Sequence, residues 1–172
     1  TEKPVHVITN GYDYEKVDKK PIDEKFSLAH IGSLLSGRNP ENLWLALSEM
    51  ILEEKSFAED FELKLIGTVS EEVLNSIKNA GLQDFLKHEN YVSHKEALET
   101  ERSSQVLLLI EINSEKTKGI LPGKIFEYLV SGRPILAVGP EASDIERILK
   151  ETNTGDFFLY SEKDTIKKQI LS

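Results

Sequence analysis

A chain of 172 residues is long enough for one domain with a closed core and leaves little room for a second complete lobe. Its 39% hydrophobic and 30% charged residues are the balance of a folded globular protein, and a formal charge of −9 argues against nucleic acid as a partner. The lack of cysteine excludes disulfides, thiolate-bound zinc and thiol nucleophiles, and fits a reducing cytoplasm.

The four histidines, at 6, 30, 88 and 94, include no pair at the i, i+4 spacing of a helical metal site, so no metal is expected. No apolar run approaches the roughly 20 residues that a membrane-spanning helix needs. The opening Thr1-Glu2-Lys3-Pro4, followed by a β-like run from Val5 to Thr9, reads as a connector within a longer protein. Residues 1–25 are therefore assigned to a connector with a first short strand, and residues 26–172 to the domain proper.

From residue 26 onward short apolar runs alternate with segments of helical periodicity, which predicts an α/β fold: an open, Rossmann-like parallel sheet with helices on both faces. Phe26 to Gly32 reads as the first strand. Asn39-Pro40-Glu41 then starts a helix, with Asn39 as N-cap, Pro40 at the first helical position and Leu43, Leu47, Met50 and Ile51 on the apolar face. Phe61 to Gly67 is the second strand. Ser70 caps a helix whose stripe is Val73, Leu74, Ile77 and Ala80, ended by Gly81.

A short third strand is expected near Glu89 to Val92, followed by a helix from His94 to Ser103. Val106 to Ile110, apolar throughout, has the pattern of a central strand. A polar stretch from Glu111 to Pro122 leads through Gly123 into a helix from Lys124 to Val130, closed by Ser131-Gly132. Pro134 to Gly139 is the next strand, Ser143 to Glu151 a helix, Phe157 to Tyr160 a last strand and Asp164 to Leu171 a final helix.

Ligands of open α/β sheets sit beyond the carboxyl ends of the strands, and two loops there carry chemistry. Gly32-Ser33-Leu34-Leu35-Ser36-Gly37-Arg38 has glycines at P-loop separation, but Arg38-Asn39 stands where a P-loop needs Lys and then Ser or Thr. The second strand ends in Gly67-Thr68 rather than an acid, so the dinucleotide fingerprint is missing too. The turn still suits an anion, because backbone amides can approach it and Arg38 can grip phosphate bidentately.

The second loop, Lys118-Gly119-Ile120-Leu121-Pro122-Gly123-Lys124, runs straight into a helix. Unpaired amides and the positive end of the helix dipole make such a start a site for diphosphate, with Lys124 as an added point charge. One turn on, Glu127 can accept two hydroxyl hydrogen bonds from a ribose. Taken alone it is as readily an ordinary, partly exposed helix residue.

The run Gly123-Lys124-Ile125-Phe126-Glu127-Tyr128-Leu129-Val130-Ser131-Gly132-Arg133-Pro134-Ile135-Leu136-Ala137 resembles the donor-site helix of retaining, family-4-like GT-B glycosyltransferases. Asn10-Gly11-Tyr12-Asp13, His30-Ile31-Gly32 and Leu65-Ile66-Gly67 extend the resemblance across most of the C-terminal lobe of that family.

The resemblance implies a lobe that holds a nucleoside diphosphate sugar as donor substrate, with no further cofactor, while an N-terminal domain of the same protein holds the acceptor. Peripheral membrane association of the whole protein is compatible with it. Glu127 would bind the ribose, the amides around Leu121, Pro122 and Gly123 the diphosphate, Gly32 and Ser33 the donor beside Arg38, and the backbone of Tyr91 and Val92 the nucleobase.

Arg38 and Lys124 would stabilise the departing diphosphate, without a bound metal. One departure stands out. The family usually has a second Glu eight positions before the ribose-binding one, and here that position is Gly119; Glu111, Glu115 and Lys118 are near but out of register. A nucleotide-sugar epimerase of the same fold, or a degenerate lobe used for protein interaction, are the competing readings.

Overall fold

Five-residue runs such as Val106–Ile110, apolar at every position, can be satisfied only as strands covered on both faces, and the fold is built around them. The computed structural model describes residues 20–171. The connector expected before residue 20, including Val5 to Thr9 and Asn10 to Asp13, lies outside the described residues.

Six parallel strands form one sheet: β1 (Phe26–Ile31), β2 (Phe61–Ile66), β3 (Leu86–Glu89), β4 (Val106–Ile110), β5 (Ile135–Gly139) and β6 (Gly155–Leu159). Their order, β3-β2-β1-β4-β5-β6, is that of the Rossmann sheet. Seven helices cover it: α1 (Glu41–Glu53), α2 (Lys55–Asp60), α3 (Glu71–Asn79), α4 (His94–Ser103), α5 (Lys124–Ser131), α6 (Asp144–Thr152) and α7 (Lys163–Ile170). The expected fold class is thus the observed one.

The pleat divides the core in two. Leu28, Leu63, Leu65, Leu108, Leu136 and Val138 face α1, α3 and α7, where Trp44, Leu47, Ile77 and Ile166 are buried. Ala29, Ile31, Leu107, Leu109 and Ala137 face α4, α5 and α6, against Ala97, Ile125, Tyr128, Ile145 and Leu149.

Four local readings are corrected. Asn39 does not cap α1: Pro40 occupies the cap position, and the Asn39 carboxamide instead donates to Ser76 Oγ at 2.8 Å and accepts the Trp44 indole N–H at 2.9 Å. It joins α1 to α3. The helix α2 buries no residue fully and so left no apolar stripe to read. Strand β3 ends where it was expected to begin, because Leu86 pairs with Leu63 and the Gly67 amide takes the Glu89 carbonyl, leaving Tyr91 and Val92 in the loop. Strand β6 starts at Gly155, paired with Ile135, and stops before Tyr160.

Beyond their last paired residues, β1 and β2 stay joined: Gly32 donates to Ile66, Leu34 to Thr68, and Ser70 to Leu34. A Cβ on Gly67, at φ +120°, would collide with the Gly32 carbonyl. Gly67→Ala is expected to lower stability by about 2–4 kcal/mol, combining strain with overpacking. Gly81→Ala, also at positive φ but with open space around it, should cost only about 1–2 kcal/mol. Urea denaturation of the two variants checks the difference.

Candidate functional site

The strand order reverses at β1, since the chain moves outward across the sheet to β2 on one side and to β4 on the other, and a switch point of this kind, here between β1 and β4, is where open parallel sheets form a ligand crevice. These two strands pair only through Leu28–Val106 and Ala29–Leu107. Past that point their facing backbone groups need other partners. The Leu108 carbonyl accepts from His30 Nδ1 at 3.0 Å, and the Ile31 amide donates to the Tyr128 hydroxyl at 3.0 Å.

A carbonyl partner fixes the proton of His30 on Nδ1, so Nε2 is an acceptor; it is buried and has no hydrogen-bond partner among the described residues. Burial pushes the His30 pKa down to about 4, against the backbone of Leu108 and of Ser33 and with help from the Arg38 and Lys124 charges. The ring stays neutral at physiological pH. Both cations act on it because the loops after β1 and β4 stand on either side. The two loops also touch directly, the Asn113 amide donating to the Gly37 carbonyl at 3.2 Å.

On the β1 side, Gly32 is partly exposed and Ser33 exposed. The Arg38 guanidinium folds back over this turn, with one nitrogen donating to the Ser33 carbonyl at 3.2 Å, and its buried Nε has no partner among the described residues. The guanidinium thus keeps donor capacity beyond that one bond.

On the β4 side, the chain passes from Glu111 through a 3-10 turn at Glu115–Thr117 to α5. Gly119 and Gly123 are exposed, Leu121 and Pro122 half-buried. The amides of Ile125 and Phe126 are taken by the Pro122 and Gly123 carbonyls, which narrows the anion-binding set. Pro122 itself has no N–H, so the amides of Leu121, Gly123 and Lys124 are what α5 can offer a ligand.

Glu127 and Lys124 share one face of α5. Lys124 Nζ bonds Glu127 Oε2 and also Glu101 Oε1, the latter at 3.0 Å. The ammonium expected as a point charge for diphosphate is therefore divided between two carboxylates. Burial lowers its proton affinity, yet the two acids outweigh that and raise its pKa. Glu101, at the end of α4, was not legible in the sequence, where it is one acid among several on a polar helix.

At Gly119, the position of the missing acid, a Cβ would stand 4.0 Å from Asp144 Oδ2. Asp144 is thus an acid beside that position, brought there by the Asp144 amide donating to the Lys118 carbonyl. Glu111 is committed elsewhere. It is buried against Gly139, where any Cβ would strike it, and accepts from Ser143 Oγ at 2.6 Å.

Tyr91 and Val92 lie on the same edge of the sheet beyond β3, two strands from the crevice, with the Tyr91 ring 89% exposed. A cleft of about 200 Å³ lined by Phe26, Val106, Pro134 and Phe158 opens at the amino ends of the strands, on the opposite edge. Among the described residues no helix is long and apolar enough to cross a membrane.

Burial raises the Glu111 pKa to about 7. The native state then holds a proton that the unfolded chain has released, so this acid reduces stability progressively as pH rises from about 4.5 to 7. His30 runs the other way, its contribution being lost as pH falls from about 6.5 to 4. Glu111→Gln isolates the first effect: the variant should match the parent near pH 4.5 and exceed it by on the order of 2–3 kcal/mol at pH 8, followed by denaturation across pH. Tyr128→Phe, which strips the Ile31 amide of its acceptor, should cost about 1–3 kcal/mol in the same assay.

No family model matches the chain, and no curated protein matches it. Solved structures do. WaaG, a glycosyltransferase involved in lipopolysaccharide biosynthesis, is 13% identical with a TM-score of 0.67, over 87% of this chain and 38% of that one. The C-terminal domain of LpcC, a glycosyl transferase group 1 family protein from Francisella tularensis, is 14% identical at 0.63, over 87% and 75%. A trehalose-6-phosphate structure from E. coli bound with UDP-2-fluoro glucose is 11% identical at 0.63, over 85% and 35%. The chain spans little more than a third of the length of WaaG and three quarters of the isolated LpcC domain. At these identities the likeness is one of architecture: the chain has the fold of the C-terminal lobe of GT-B glycosyltransferases.

Proposed function

We propose that this chain is the donor-binding domain of a GT-B glycosyltransferase, holding a nucleoside diphosphate sugar in the crevice between β1 and β4. One observation supports the reading: the loops after β1 and β4 touch through the Asn113 amide and the Gly37 carbonyl, and His30 on β1 feels the charges of both Arg38 and Lys124. A carboxylate one turn into α5 suits a ribose diol, and the amides before it suit the diphosphate.

In transfer, the bond from the anomeric carbon to the diphosphate oxygen breaks and its electron pair leaves with the diphosphate. An acceptor hydroxyl, held by an N-terminal domain, forms the new bond and gives up its proton to the departing diphosphate. Arg38 and the α5 amides stabilise the charge that develops on the leaving group, with no cofactor or metal taking part. Gly32 and Ser33 let the donor approach β1, and the backbone of Tyr91 and Val92 borders the nucleobase. Acceptor chemistry, and any peripheral association with a membrane, belong to the whole protein. The fold and the lack of cysteine support a cytoplasmic setting.

Calorimetry with UDP, GDP and ADP tests the reading. One of them should bind, and Glu127→Ala should weaken it by about 1–3 kcal/mol with the fold intact. No heat with any of the three, or unchanged affinity in the variant, would overturn it. The first result would favour an interaction lobe, which the glycine at 119 already suggests.

A further inference from the structure

We infer that Glu101 is a positioning residue: through Lys124 it holds the Glu127 carboxylate in one orientation, with Oε2 engaged and the other oxygen presented to the ribose. The inference rests on the nucleotide-binding function proposed above.

Three features of Glu101 work against stability. Its side chain is 1% exposed, and burying a carboxylate is costly even when it is paired. Its Oε2 is buried without a hydrogen-bond partner among the described residues. It also lies in the last turn of α4, where the helix dipole disfavours an acid. The helix does not need it for its own termination, since Ser93 and Glu96 form a capping box at the other end and the Ser104 amide closes onto Thr100. The Glu101 carboxylate accepts from Lys124, which also donates to Glu127, and the nearby Glu127 carboxylate adds to the cost of ionising Glu101.

A Lys–Glu pair at i, i+3 on one helix is by itself a loose contact, because the ammonium rides on a flexible four-carbon stem. Glu101 comes from a different helix and pins that ammonium from the buried side. Lys124 can then meet Glu127 from one direction only. Burial favours the protonated form of Glu101 while Lys124 favours the ionised one, which marks a carboxylate kept in an unfavourable place by its partner.

The test compares UDP, GDP and ADP with their 2′-deoxy counterparts on the parent, Glu127→Ala, Glu101→Gln and Lys124→Met, with thermal unfolding alongside. The parent should prefer the ribonucleotide by about tenfold to a hundredfold, and Glu127→Ala should abolish the preference. Glu101→Gln should reduce it at least several-fold while leaving the 2′-deoxy affinity and the melting temperature essentially unchanged. Lys124→Met should lower the ribo-to-deoxy ratio to a similar extent, with a lower melting temperature because Glu101 loses its partner, and in the double variant that ratio should fall no further than in either single one. The inference is overturned if Glu101→Gln keeps the full preference, or if its ribo and deoxy affinities fall together. A parent that binds no nucleotide, or shows no ribose preference, overturns the function proposed above and this inference with it.

Discussion

Everything at the candidate site depends on two adjacent strands parting company. Parallel strands satisfy each other's backbone for as long as they pair, and β1 and β4 stop after Ala29 and Leu107 while both are still inside the protein. The facing carbonyl and amide cannot be left bare at that depth. An imidazole and a phenol take them, and each brings something with it. His30 arrives from β1 itself, while Tyr128 ties α5 to the strand it faces. The parting of the strands is bridged by the side chains that satisfy it.

The charges around that gap are arranged by depth rather than by number. The chain carries far more acid than base, yet the cations at the crevice come from its two loops, and the acid opposite them is paired. Net charge constrains the partners of a whole surface; it does not constrain a pocket whose few groups are partly withdrawn from water. A neutral His30 is part of the same arrangement, since a third positive charge between Arg38 and Lys124 would be buried and repelled at once.

How much of this could be read beforehand varied with the kind of interaction. Strands β4 and β5, apolar at every position, and helices with a capping serine, such as α3 and α4, stand within a residue or so of where periodicity puts them. Their signals are local. Strand β3 was misplaced because an edge strand with alternating half-burial is positioned by its partner β2, not by its own composition. Asn39 has the chemistry of a cap but was claimed by Ser76 and Trp44, which lie on two different helices.

The two loops and Glu127 could be singled out because glycine, proline and charge cluster in them. Glu101 could not be, because nothing in its neighbourhood along the chain distinguishes a buried acid from a solvated one. Only the packing of α4 on α5 does.

The close approach of Gly67 to Gly32 has a bearing beyond the turn itself. It fastens the loop after β1 to the loop after β2, so the bank of the crevice that carries Arg38 is a double-walled embankment. The opposite bank, from Glu111 to Gly123, is one thickness of chain, moored to its surroundings by the Gly37 and Asp144 contacts. Local strain would therefore be taken up by the second segment before the first. The glycine at 119 sits on the more lightly braced of the two segments.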